Sequence, residues 1–250
     1  MPPWGLHMIL ARQLAAEQPA RVLQDEPGAY YLGATAPDIR AIAKVDRSRT
    51  HFFELTNFDH QCGVEAMFRE HPDLASPACL DDSQIAFLCG YISHLEMDEA
   101  WICDVYRPCF GERSPLQGDL LANLLDRVLQ FELDRQARED KVAVEAIRHD
   151  LLASTVREAV EFLDYDDLMR WREVSADVMD REPDWERFGQ NVGRHLRARE
   201  TESETDLAHY LRNIPDLLDQ SVRAVTQERI EAFQQRARGR ALEALRAYLS

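Results

Sequence analysis

The sequence predicts an all-α protein. Nowhere does a run of Val, Ile and Thr alternate with period two. Apolar residues instead recur three and four apart through most of the second half, where helix breakers become rare. At 250 residues the chain can bury one good core without disulfide or metal staples. With no internal repeat and no Gly/Ser linker, it reads as a single all-α domain over 1–250. Residues 1–120 hold most of the prolines, all five cysteines and five of the eight histidines. Residues 121–250 form an amphipathic helical half, open to being a subdomain.

The first predicted helix runs from Pro3 to Glu17, with proline suited to a helix start. Trp4, Met8, Ala11 and Ala15 follow helical spacing, and His7 falls on the same apolar face. A second region of interest is Tyr30 to Ile39, followed by Thr50-His51-Phe52-Phe53. There Asp38, after Pro37, suits a turn or a helix cap as readily as a ligand. A helix from Asp82 to about Tyr106 comes next, apolar nearly all round and hence a core helix. Steps of three and four put Phe87, Tyr91, His94, Asp98, Trp101 and Val105 on one stripe, while Glu96 and Glu99 fall on other faces, expected to be solvent-side. Beyond it the periodicity predicts helices at about 117–135, 138–150, 153–163, 165–180, 184–199, 204–221 and 225–248. Trp171, Trp185 and Phe188 read as helix-contact packing.

Charge and cysteine usage narrow the function. Forty-five acidic against 29 basic residues give a net charge of −16, which excludes a broad basic surface for duplex nucleic acid. A small anionic substrate held through a metal ion stays open, because the ion brings its own positive charge. The five cysteines form no CxxC pair, and Cys89 and Cys103 lie in apolar helical stretches where a thiol packs as a small hydrophobe. The N-terminal segment lacks a basic region and a small-residue cleavage motif, and no stretch is long and apolar enough to span a bilayer. The expected location is the cytoplasm.

His94 and Asp98 stand one helical turn apart and project side by side. Asp98 amid Phe, Tyr and Trp is costly to bury ionised unless something pairs with it. Two readings fit: the pair ligates a cation, or Asp98 accepts hydrogen bonds from His94 and a neighbouring tyrosine. His7, Asp38 and His51 each have a similar plain reading as core or turn residues. Together, however, they supply imidazoles and carboxylates without thiolate, a donor set suited to Zn²⁺, with Mn or Fe as alternatives.

The ordered set Trp4…His7, Tyr31-Leu32-Gly33-Ala34…Pro37-Asp38, His51-Phe52 and Ala86-Phe87…Gly90-Tyr91-Ile92-Ser93-His94…Asp98…Trp101 resembles the zinc-dependent phospholipase C family. That family is related in fold to the single-strand-specific nucleases of fungi. The resemblance covers about residues 3–105 and implies a compact multi-helix bundle, here with extra C-terminal helices. It implies metal ligands at His7, Asp38, His51, His94 and Asp98, Asp98 being placed to bridge two ions. It also implies hydrolysis of phosphodiester or phospholipid-like substrates by a metal-activated water, with one or two zinc ions. Asp38 is the expected catalytic carboxylate, and Trp4, Glu54, His60, Tyr91, Trp101 and Asp104 are expected around the ligands. The chain departs from the family pattern in three places. Trp4 follows Met1-Pro2-Pro3 instead of leading the chain, Asp104 stands where the family has a further histidine, and no HxxxE pair follows. The reversed pair Glu145 and His149 reads better as exposed helix surface. A helical protein with a structural metal and a protein partner is the alternative. A small anionic phosphoester is the expected ligand, and part of the charged face of 130–205 suits a homodimer rim.

Overall fold

The computed structural model describes residues 3–154, 156, 160–197 and 213–250. Its regular elements are helical, and no strand occurs among the described residues. The helices are α1 Trp4–Glu17, α2 Arg21–Asp25, α3 Pro27–Gly33, α4 Ser48–His51, α5 Gly63–Glu70, α6 Asp82–Trp101, α7 Leu120–Ala137, α8 Lys141–Ala153, α9 Tyr165–Asp180, α10 Trp185–Arg197, α11 Ile214–Val225 and α12 Gln227–Leu249. A 3-10 turn spans Ala36–Ala41, and a wide π-helical stretch, Ile102–Phe110, continues α6.

The axis of the molecule is α6. A helix with no polar face has to be enclosed on all sides, and every residue from Ala86 to Trp101 is buried. Its start is set by a reciprocal cap. Asp81 Oδ1 accepts from the Gln84 amide at 2.8 Å, and Gln84 Oε1 accepts from the Asp81 amide at 3.2 Å. Helices α1, α3, α5 and α12 pack around it. The approach of α3 is very close: a Cβ at Gly33 would lie 1.9 Å from Phe87 O, and one at Gly90 2.0 Å from Tyr30 O. Only glycine lets the two backbones touch there.

The second half covers the first. α8 lies against α3, α9 against the 3-10 turn, and α12 against α6. Trp171 of α9 donates through Nε1 to Thr35 Oγ1 at 3.1 Å, while Phe131, Trp185 and Phe188 form an aromatic cluster between α7 and α10. The start of α1 is held by α7: the Leu6 amide donates to Asp134 Oδ1 at 2.7 Å, and Arg138 Nη1 lies 3.3 Å from Asp134 Oδ2.

Several expectations are corrected. Glu96 and Glu99 are buried, because Arg240 of α12 reaches over α6 and pairs with them at 2.7 and 2.6 Å. Cys103 is exposed, since the π-helical stretch turns it outward from the line of α6. The helix expected over 153–163 is not formed at 154, 156 or 160–163, and 155 and 157–159 lie outside the described residues. The first part of the helix expected over 204–221, through residue 212, and the last two residues of the one over 184–199 also lie outside them.

Candidate metal centre

Three backbone devices bring five side chains to one place. α1 carries His7 on its inner face, and the first turn of that helix is anchored by Asp134. The 3-10 turn carries Asp38, inside a segment whose flanking Thr35 is tied to Trp171 and to Ser175. α4 carries His51 at its last position, where Phe52 takes a left-handed backbone (φ 52°) and turns the chain away. His94 and Asp98 stand on α6. All five residues are buried, with Asp38 the most accessible at 7%.

Asp98 lies at the middle. Its Oδ1 is 3.5 Å from His7 Nε2, and its Oδ2 is 3.2 Å from His51 Nε2 and 3.8 Å from His94 Nε2. His51 Nε2 is also 3.5 Å from Asp38 Oδ1. The His7 and His94 rings stack face to face, centroids 3.8 Å apart and 9° from parallel. Two overlapping triads have ligand atoms within 4.8 Å of one another: His7, His94 and Asp98, and Asp38, His51 and His94.

The tautomers follow from the outer partners. His94 Nδ1 lies 2.8 Å from Ala34 O, a carbonyl that can only accept, so the proton sits on Nδ1 and Nε2 is bare. Thr50 Oγ1 spends its one proton on Arg47 O and therefore accepts from His51 Nδ1–H at 3.0 Å, which leaves His51 Nε2 bare too. Nε2 of His7, His51 and His94 and Oδ1 of Asp98 are buried with no hydrogen-bond partner. Lone pairs thus face carboxylate oxygens across 3.2 to 3.8 Å, which is unfavourable unless a proton or a cation lies between. For His94 a proton is excluded near neutral pH: burial, reinforced by neighbouring His7, pulls its pKa down to about 3. A cation is what these donors fit.

Residues 6–100 match the family model for zinc dependent phospholipase C. No curated protein and no solved structure matches the chain. The zinc-dependent phospholipase C match spans all five clustered residues and ends within α6. Together with the two His/Asp groups, it supports a metal-dependent hydrolase at family level, with zinc as the metal the family name indicates.

Both carboxyls are kept ionised. Burial raises them, but positive charge on the imidazole side, a proton or a cation in its place facing His51 and His94, outweighs it, holding Asp38 at about 2 and Asp98 well below the usual carboxylate range. Tyr91, far above its ordinary value through burial and the Asp38 charge, stays a neutral donor. Its hydroxyl bonds Thr50 O and so steadies the residue before His51.

The other expected neighbours lie elsewhere. Trp4 packs edge-on against Trp171 at 4.5 Å. Trp101 Nε1 donates to Asp126 at 3.0 Å on α7, and Asp104 pairs with Arg236 of α12 at 3.1 Å. Glu54 and His60 are exposed on the loop after His51, because the left-handed Phe52 ends the turn that would have carried Glu54 inward. Arg107 lies in the last turn of the π-helical stretch. It pins that loop by bonding the carbonyls of Glu54, Leu55 and Asn57 and lies over the Phe53 and Phe58 rings. Glu145 and His149 are exposed.

One member escaped the sequence reading. Arg47 places Nη2 3.3 Å from Asp98 Oδ2 and Nη1 2.6 Å from Phe53 O. The available signal was its spacing: Arg47 precedes His51 by one helical turn, which puts both on one side of any helix there.

Proposed function

We propose that this chain hydrolyses phosphodiester or phospholipid-like substrates at the cluster of His7, Asp38, His51, His94 and Asp98, loaded with one or two zinc ions. The observation that carries the reading is the set of bare imidazole nitrogens facing buried, ionised carboxylates inside the family-matched region. When bound, zinc supplies Lewis acidity, polarising a phosphoryl oxygen and acidifying a water. The protein's own groups divide the remaining work. His94 and His51 are fixed in the ligating tautomer by Ala34 O and Thr50 Oγ1. Asp38 is the carboxylate nearest solvent, with its side chain 10% exposed against 3% for Asp98. A carboxyl held at about 2 is a poor proton acceptor near neutral pH, so Asp38 orients the attacking water in preference to deprotonating it.

The ligand class we propose is a small anionic phosphoester, since a net charge of −16 disfavours duplex nucleic acid. Among the described residues no helix is long and apolar enough to cross a membrane. The five free cysteines fit a reducing cytoplasm, and we retain a homodimer, with part of the charged stretch 130–205 at its rim, as part of the proposal.

The test is turnover of bis(p-nitrophenyl) phosphate by zinc-loaded protein. We expect chelation to abolish it, and His94→Ala and Asp98→Ala each to cost at least about a hundredfold, more than outer ligand partners usually cost, with helical circular dichroism retained. Turnover that survives both substitutions refutes the assignment. Stoichiometric zinc without turnover favours the structural-metal alternative.

A further inference from the structure

We infer that Arg47 is a built-in cation that takes the place of a second metal ion, so that the centre is mononuclear. This rests on the metal-binding reading above and sharpens it. Two observations lead there independently. First, both candidate triads draw on His94, and His94 has only one ligating atom to give, because Nδ1 is committed to Ala34 O. An ion that takes Asp38, His51, His94 and Asp98 leaves a second ion with His7 and a share of Asp98.

Second, the charge favours one ion over two. Asp38 and Asp98 contribute two negative charges, and the Arg47 guanidinium, its side chain 13% exposed, rests against Asp98 Oδ2. The cluster with Arg47 therefore carries one net negative charge. One divalent ion brings it to plus one, whereas two bring it to plus three among ligands that are 0–10% exposed, where uncompensated charge is costly. Without Arg47, two ions would leave plus two.

Arg47 is also not free to step aside. Nη1 is bonded to Phe53 O at 2.6 Å, and its own carbonyl accepts the amides of Thr50 and His51. The residue that begins α4 and sets His51 in place thus also supplies the fixed positive charge. Arginine stays protonated, so this charge persists at any working pH.

The experiment is zinc titration of chelator-stripped protein by calorimetry, with bound zinc counted by elemental analysis after desalting and folding followed by circular dichroism. Wild type should bind one equivalent. Arg47→Gln, which removes the charge, should show a second, weaker equivalent, for a total near two. Arg47→Lys, which keeps the charge, should stay at one. Two equivalents in wild type, or one in both wild type and a folded Arg47→Gln, overturn the inference while leaving the metal site standing. No zinc in wild type overturns the metal site itself. Should Arg47→Gln fail to fold, Arg47→Met replaces it, and the wild-type count still decides by itself against a two-ion centre.

Discussion

Two buried carboxylates on different helices make the same-looking investment for opposite ends. Asp134 is satisfied by the chain itself: it accepts the Leu6 amide and faces Arg138, whose other bonds go to the carbonyls of Val178 and Arg181. Asp98 faces Arg47 but also three imidazole nitrogens, two of them shown bare by their outer bonds, and its Oδ1 has no hydrogen-bond partner. Thermal melts with and without zinc should separate the two. Asp134→Asn strands a buried Arg138 and should cost about 3–5 kcal/mol, the usual result of breaking a buried pair, equally in apo and zinc-loaded protein. Asp98→Asn should instead abolish the zinc-dependent rise in Tm, which for wild type at a hundredfold excess over Kd corresponds to about 2.7 kcal/mol. If zinc still stabilises Asp98→Asn to that extent, Asp98 is not a ligand. The residue types at the cluster were readable because a histidine or aspartate among aromatics stands out in any sequence. Arg47 was not, because an arginine in the polar stretch Asp46 to Thr50 looks like surface until the fold shows what it meets.

Elements carry the cluster only as precisely as they pack, and the contact that matters most is between α3 and α6. His94 takes its tautomer from Ala34 O, just past the end of α3, and that carbonyl is in reach because Gly33 and Gly90 let the backbones meet. An alanine at 90 would place its Cβ 2.0 Å from Tyr30 O and 2.6 Å from the Ala34 nitrogen, both backbone atoms that cannot turn aside. Gly90→Ala should therefore destabilise the fold by about 1–3 kcal/mol and weaken zinc binding, read by denaturant titration and calorimetry. Unchanged zinc affinity would show that the α3–α6 spacing does not govern the centre. At this scale periodicity served well where one face decides burial: α1, α6, α7, α9 and α12 fall close to their expected bounds. It failed where tertiary contacts decide. Nothing local marks Glu96 and Glu99 as buried, since their partner Arg240 lies some 140 residues away and was unreadable from α6 alone. Likewise, the apolar residues Val156, Val160 and Leu163 are buried without the helix their spacing implied.

For the molecule as a whole, the −16 charge divides into a solvated majority and a buried minority, and the buried part sets the response to acid. His94, enclosed by His7, His51, Asp38 and Asp98, has a folded pKa of about 3 against an ordinary 6.5. Below pH 6.5 the unfolded chain takes up a proton that the folded chain refuses, so stability falls as pH drops from 6.5, and it goes on falling until about 3. Asp38, held at about 2, contributes stability above its ordinary 3.8 that is lost as pH falls further. Asp134 and Glu96, pushed upward by burial, act with the opposite sign, but from the carboxylate range. The His94 share is therefore read between pH 6.5 and 5 by difference against a variant that lacks it. Urea unfolding of chelator-treated protein should show stability decreasing across this interval by about 1.4 kcal/mol per pH unit for one proton, and His94→Gln should flatten that slope. Zinc should steepen the wild-type slope, because bound metal requires every ligand deprotonated and is released together with the fold. A wild-type profile that is flat from pH 7 to 5, or identical in His94→Gln, would mean that His94 is not held neutral in the folded chain, and the case for a cation over a shared proton would fall with it.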